Sequence, residues 1–233
     1  MNSNPFIIAD HEVDNFSKKL PRKTYAALLS VHEWLINFVG VPNTNLGRAG
    51  DVCPFVRQSL TKHFGIYFAP WTSQKPEFLS ALEFLRVLAA EFSTLQPQSL
   101  PERNFKALIA VFPGAKDESA STLVQALQIF MKLEIISRGM MIGQFYSSCA
   151  EPGLHNLDFR PLQSPYPLLV FRYMQLTDLP FLVEKPEYIA QYCAKFNISS
   201  LSHLEKRISG HGVSVLPREW ANCMRTMFQS LSP

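Results

Sequence analysis

The sequence lacks most of the short signatures by which chemistry can be read from a chain. Its 233 residues contain no GxGxxG turn, no P-loop, no HExxH pair and no GxSxG elbow. Dinucleotide, nucleoside-triphosphate, zinc-protease and serine-hydrolase chemistry therefore find no support. No repeated ExxH pattern marks a carboxylate-bridged di-iron bundle. Of the four cysteines, Cys53, Cys149, Cys193 and Cys223, no two form a CxxC pair, which argues against a thiol redox motif or a zinc ribbon. No stretch approaches the ~20 apolar residues of a membrane-crossing helix. The opening residues, MNSNPFIIADHEV, lack the basic start and long apolar run of a secretory signal. Charge is scarce as well, at 18% of residues and a net +3, too mild to imply nucleic acid. Together these absences predict no nucleic-acid partner, no membrane, and free thiols in a reducing cytoplasm.

What is present is apolar and aromatic. Hydrophobic residues make up 47% of the chain, and 18 are phenylalanine, enough for a sizeable core and for an apolar pocket. The length suits one domain over 1–233, with 1–22 an irregular lead-in, 24–197 a core and 198–233 C-terminal helices.

The order of elements follows from periodicity. Tyr25, Leu28, Leu29, His32, Leu35, Ile36 and Val39 share one helical face, and Gly40 and Pro42 close that helix. A short helix is predicted over 56–63 behind Pro54. FGIYFAPW, FKALIAVFPG, GMMIGQFYSS and PLLVFRYM read as four strands. Helices fall between the first two, opened by Pro76, and between the second and third, where acidic residues begin DESASTLVQALQIFMKLEII. Further helices follow, broken by Pro186 and Gly210, with Ser200 or Ser202 as a cap for one of them. The last helix, from Pro217 to Leu231, carries Trp220, Cys223, Met224 and Met227 on one face. The expected fold is α+β: a four-stranded, mixed or mostly antiparallel sheet with helices packed on it, plus C-terminal helices. The β-α-β-α-β-β-α order also matches a thioredoxin-like core, as architecture only.

Two stretches concentrate polar chemistry. GRAGDVCPF, residues 47–55, puts Arg48, two glycines, Asp51, Cys53 and Pro54 together, with Arg57 just beyond. The two arginines are candidate grips for a substrate carboxylate or phosphate. Cys53 admits three readings: a thiolate at a helix start, an axial ligand of haem, or a small residue filling a turn. The second stretch, GLHNLDFRPLQSP, carries His155, Asp158 and Arg160 in a loop between two strands. A loop histidine can ligate a metal or haem iron, act as an acid or base, or cap its own loop. Arg160 could pair with a carboxylate such as a haem propionate. Arg172 interrupts the apolar strand PLLVFRYM and needs either solvent or a partner such as Asp178; it is a third candidate for substrate binding.

The ordered series VCPFVRQSLTKHFGIYF, FKALIAVFPG, LVQALQ and GLHNLDFRPLQSPYPLLVFRYM, over roughly residues 46–197, resembles the YqcI/YcgG family and an uncharacterised family close to it. That resemblance implies haem-dependent N-hydroxylation of a guanidine-bearing amino-acid derivative in specialised metabolism. It would make His155 the axial iron ligand, Arg160 a propionate or substrate contact, and Cys53 and Pro54 pocket-lining residues; Arg48, a fixed charge for an acidic group, is a further cofactor-binding candidate. The chain departs from the family where Asn156, not proline, follows His155, and where DFRP replaces a Ser-Arg pair. The expected function is thus a haem-binding oxygenase-like enzyme with a small-molecule substrate, for which a homodimer is an allowed assembly. The alternatives are a cofactor-free transferase, cyclase or isomerase using His155 as acid or base, or a non-catalytic partner protein docking through the Trp220–Met227 face.

Overall fold

In a computed structural model the protein is described over residues 5–62, 65–72, 76–114, 118–203 and at 206, 222, 225, 226 and 228. The fold class is α+β. A mixed five-stranded sheet comprises β1 (Ile8–Ala9), β2 (Ile66–Pro70), β3 (Ala107–Val111), β4 (Met140–Phe145) and β5 (Leu168–Tyr173), in the order β1-β2-β3-β5-β4. All four expected strands are present. The fifth, β1, comes from the segment expected to be irregular. It pairs antiparallel with β2, Ile8 opposite Phe68, and is followed by a 3-10 helix over Asp10–Phe16. Two residues are too few to show alternation, so only the buried Ile8 betrays it.

Strand order is the larger difference. β2 and β3 run parallel, Ile66 opposite Ala107 and Pro70 opposite Val111. β3 then pairs antiparallel with β5, Val111 opposite Leu168. In a thioredoxin-like sheet the first strand of the β-α-β unit would lie beside the hairpin; here the second one does, so that likeness is set aside.

The chain forms two compact units. One comprises residues 1–131 and 142–173, the other 132–141 and 174–233. In the first, α1 (Arg22–Trp34) continues into a π turn over Leu35–Val39, as its apolar face predicts. Leu28, Val31, Leu35 and Val39 form a buried cluster with Ile66, Phe68, Ile109, Val111 and Leu168, the residues that alternation places on one face of the sheet. The other face meets α3 (Phe78–Thr94), whose Phe92 ring lies 5.0 Å from that of Tyr173. A short α2 (Val56–Lys62) precedes β2, and α4 (Glu118–Ser137) precedes β4.

In the second unit, a 3-10 turn over Leu176–Phe181 leads to α5 (Pro186–Phe196). Pro186 opens α5 instead of breaking it, since the first helical turn does not need its missing N–H. Ile136, Leu179, Leu182, Ile189, Tyr192 and Cys193 bury one another. Asn197, with φ of 53°, ends α5 in the left-handed conformation. Ser200 does serve as a cap, accepting the N–H of His203 at 3.2 Å. The helix expected over 217–231 lies almost wholly outside the described residues. Among those described, no helix is long and apolar enough to cross a membrane.

Candidate functional site

Ligands in sheets with parallel strands gather outside the strands' carboxyl ends, where loops diverge. Here that end is marked by Pro70 and Val111, with Leu168 opposite Val111. Trp71 donates its N–H to Val111 O at 2.8 Å, and Phe112 to Pro167 O at 3.0 Å. The loop bearing His155 leaves β4 and returns to β5 on this edge.

That loop and the GRAGDVCPF loop meet. Gly47, with φ of 75°, lies so close to His155 that an added Cβ would stand 2.4 Å from the His155 carbonyl oxygen. Only glycine tolerates both the conformation and the approach. Alongside, the Asn156 side-chain amide donates to Asn45 O at 2.8 Å, while its carbonyl oxygen accepts the N–H of Asp158 at 3.0 Å. Asn156, singled out in the sequence only as a departure from a resemblance, is therefore the side chain that ties the two loops together. A ladder of rings runs beneath. Phe145 and Trp34 are 5.6 Å apart, Trp34 and Phe38 are stacked at 6.3 Å, and Phe38 and Phe159 are 6.1 Å apart. It joins β4, α1, the π turn and the His155 loop.

The arginines face backbone. Arg48 donates to Ala49 O and Asp51 O, both at 3.0 Å, and to Val52 O at 3.3 Å, so it staples its own turn. Arg57 holds Gly40 O at 3.1 Å and pairs with Asp51 at 2.5 Å. Arg160 donates to Leu157 O and, at 3.2 Å, to Phe159 O. Arg172 stands opposite Ala107, at the other end of the sheet, and donates to Tyr173 O at 3.2 Å. Cys53 is a free, half-buried thiol packed against the α1 core, with its N–H on Val39 O at 2.8 Å. The fold thus gathers Arg48, Cys53, Arg57, His155 and Arg160 on one edge and leaves Arg172 outside it. The base of the His155 loop is buried: Gln125 donates to the Tyr146 hydroxyl, and Tyr146 O accepts the Cys149 N–H at 3.1 Å. Burial, then the neighbouring Cys149, pushes the Tyr146 phenol up, keeping it neutral.

The open groove on this edge is formed by other residues. Its volume is about 530 Å³, within the range of small-molecule sites. One wall is the last turns of α1 and the π turn: Ser30, Glu33, Trp34 and Asn37. The other is Ser147 with Gln163, Ser164 and Pro165, from the two ends of the His155 loop. The i, i+3, i+4 spacing that identified α1 as amphipathic also places Ser30, Glu33, Trp34 and Asn37 together, with Glu33 and Asn37 exposed and half-buried Trp34 packed partly against the core. Glu33 is the one ionisable group in this lining, and no basic side chain joins it.

A haem needs an axial ligand inside a dry, apolar slot. His155 is exposed, and neither it, Cys53 nor Arg160 lines the groove. Arg160 is already turned onto its own loop. These residues, as placed, do not fit a porphyrin. Among the described residues no group of three His, Cys, Asp or Glu is arranged to hold a metal ion.

Fold and groove define an α+β protein with an open, Trp-walled groove at the carboxyl edge of its parallel strand pair. The chain belongs to the family described as Domain of unknown function (DUF6875), which matches it over residues 28–207. No curated protein and no solved structure matches the chain.

Proposed function

We propose that the protein recognises a small, nitrogen-bearing organic cation, an amine or guanidine, in the groove beside Trp34. The observation that carries this reading is the pairing of Glu33 and Trp34 in a lining with neutral hydrogen-bonding groups and no basic residue. A carboxylate attracts the charge, and an indole face attracts the same charge through its quadrupole. Asn37 and Gln163 provide neutral donors and acceptors for the rest of such a molecule. A nitrogen-bearing substrate is also what the family resemblance implies, and a cytoplasmic, small-molecule setting goes with it. The haem-dependent step of that resemblance draws no support from the described residues.

Calorimetric titration with agmatine tests the reading. An exposed ion pair and an exposed cation–π contact are each worth up to about 1 kcal/mol. Glu33→Gln and Trp34→Ala should therefore each weaken binding by about five-fold, with the effect of Glu33→Gln shrinking at high salt. Unchanged affinity in both variants would end the assignment of the groove.

A further inference from the structure

The opposite end of the sheet carries two cations without a carboxylate partner among the described residues. Ala107 of β3 faces Arg172 of β5, so Lys106 and Tyr173 are the next positions outward. Lys106 is 0% exposed. Its Nζ donates to Leu95 O, just beyond the last turn of α3, at 2.5 Å, and lies 4.9 Å from the Phe92 ring and 5.4 Å from the Tyr173 ring. The guanidinium carbon of Arg103 lies 4.9 Å from that same Tyr173 ring. The Nε of Arg103 is buried and has no hydrogen-bond partner among the described residues. Neither cation is ion-paired with a carboxylate among those residues.

A buried charge is costly unless paired, and a buried donor without an acceptor adds to that cost. The Leu95 carbonyl answers one of the three N–H groups of Lys106. The ring faces soften both charges but accept none of Arg103's hydrogen bonds in full. The negative end of α3 lies on the Lys106 side, which favours the ammonium and repels an anion there. Half-exposed Arg103 leaves the approach open from its own side.

We propose that Arg103 and Lys106 form a binding site for a small oxyanion, a carboxylate or a phosphate group, entering from the Arg103 side. The planar guanidinium presents the two-pronged edge that such groups accept, and the ammonium adds a point charge behind it. The site is separate from the groove, so its failure would leave the reading of Glu33 and Trp34 standing.

The test is titration of the full chain with inorganic phosphate and, separately, with acetate, each against chloride at matched ionic strength. Saturable binding of at least one is expected, and the stronger one tells whether phosphate or carboxylate is the group recognised. Arg103→Gln, at a side chain whose buried Nε has no hydrogen bond among the described residues, should keep the far-ultraviolet circular dichroism and weaken binding by about ten-fold or more. Lys106→Met should weaken it as well. Binding of neither anion beyond chloride, or equal binding by wild type and Arg103→Gln, would overturn the proposal.

Discussion

Lys106 makes the stability of this protein depend on alkaline pH in a way that can be separated from every other group. Burial, and then the charge of Arg103, lowers its amine from 10.5 to about 8. Below about pH 8 the amine is protonated in both folded and unfolded chains, so the folded state bears the whole cost of the buried charge. Between about 8 and 10.5 the unfolded chain holds more protons than the folded one, and stability from this residue rises with pH. At about 1.4 kcal/mol per pH unit the full span is about 3 kcal/mol, of which about 2 kcal/mol falls between about pH 7.5 and 9.5. Lys106→Met keeps the volume and removes the proton. Urea unfolding of both proteins across that range should show wild type gaining about 2 kcal/mol on the variant. Cys193, which burial pushes up to about 12, makes the chain lose stability as pH rises past the ordinary thiol value, but it does so in both proteins and cancels from the difference. Curves that stay parallel within about 0.5 kcal/mol would refute the assignment of a buried, charged lysine.

The loop contact makes sharper claims. Gly47→Ala should cost about 2 kcal/mol or more, because the Cβ meets both a positive φ and the His155 carbonyl; proteolysis within 149–167 should accelerate, and unchanged cleavage would count against the docking. Asn156→Ala should cost about 1 kcal/mol through loss of its bond to Asn45 O, measured by urea unfolding, and Asn156→Asp should cost at least as much, because it keeps the acceptor for the Asp158 N–H but sets a carboxylate oxygen against Asn45 O. Thiol labelling followed by peptide mapping should modify half-buried Cys53 well before Cys193, whose thiol is buried and pushed to about 12; the reverse order would contradict the packing around α5.

How much of this was legible in the sequence differs by element. The four longer strands and helices α1, α3, α4 and α5 were readable because each carries enough residues for its period to show. Strand order was not: alternation says which side chains share a face, but not whether β3 or β2 stands beside the hairpin. The two polar loops stood out by composition, but nothing in the sequence says that they meet; Gly47 was legible as a turn residue, though not as a point of contact with His155. Asn156 gave no signal, because a side-chain amide reaching a distant carbonyl has no local pattern. Lys106 was hidden for the opposite reason. At the edge of an apolar strand a lysine reads as a solvated end, and only the packing of Phe92 and Tyr173 over it shows otherwise. The groove residues Glu33 and Trp34 were present in the helical pattern of α1 as the side left over once the core face was assigned.

The central claim is that the groove beside Trp34 selects positive charge. Its most direct measurement is a pair of calorimetric titrations of the wild-type chain with agmatine and with (4-hydroxybutyl)urea, a neutral molecule of the same length in which both cationic groups are replaced. The account predicts saturable binding of agmatine, weaker at high salt, and at least about five-fold poorer binding of the neutral compound. Equal affinity for the two, or binding that ignores salt, would contradict it.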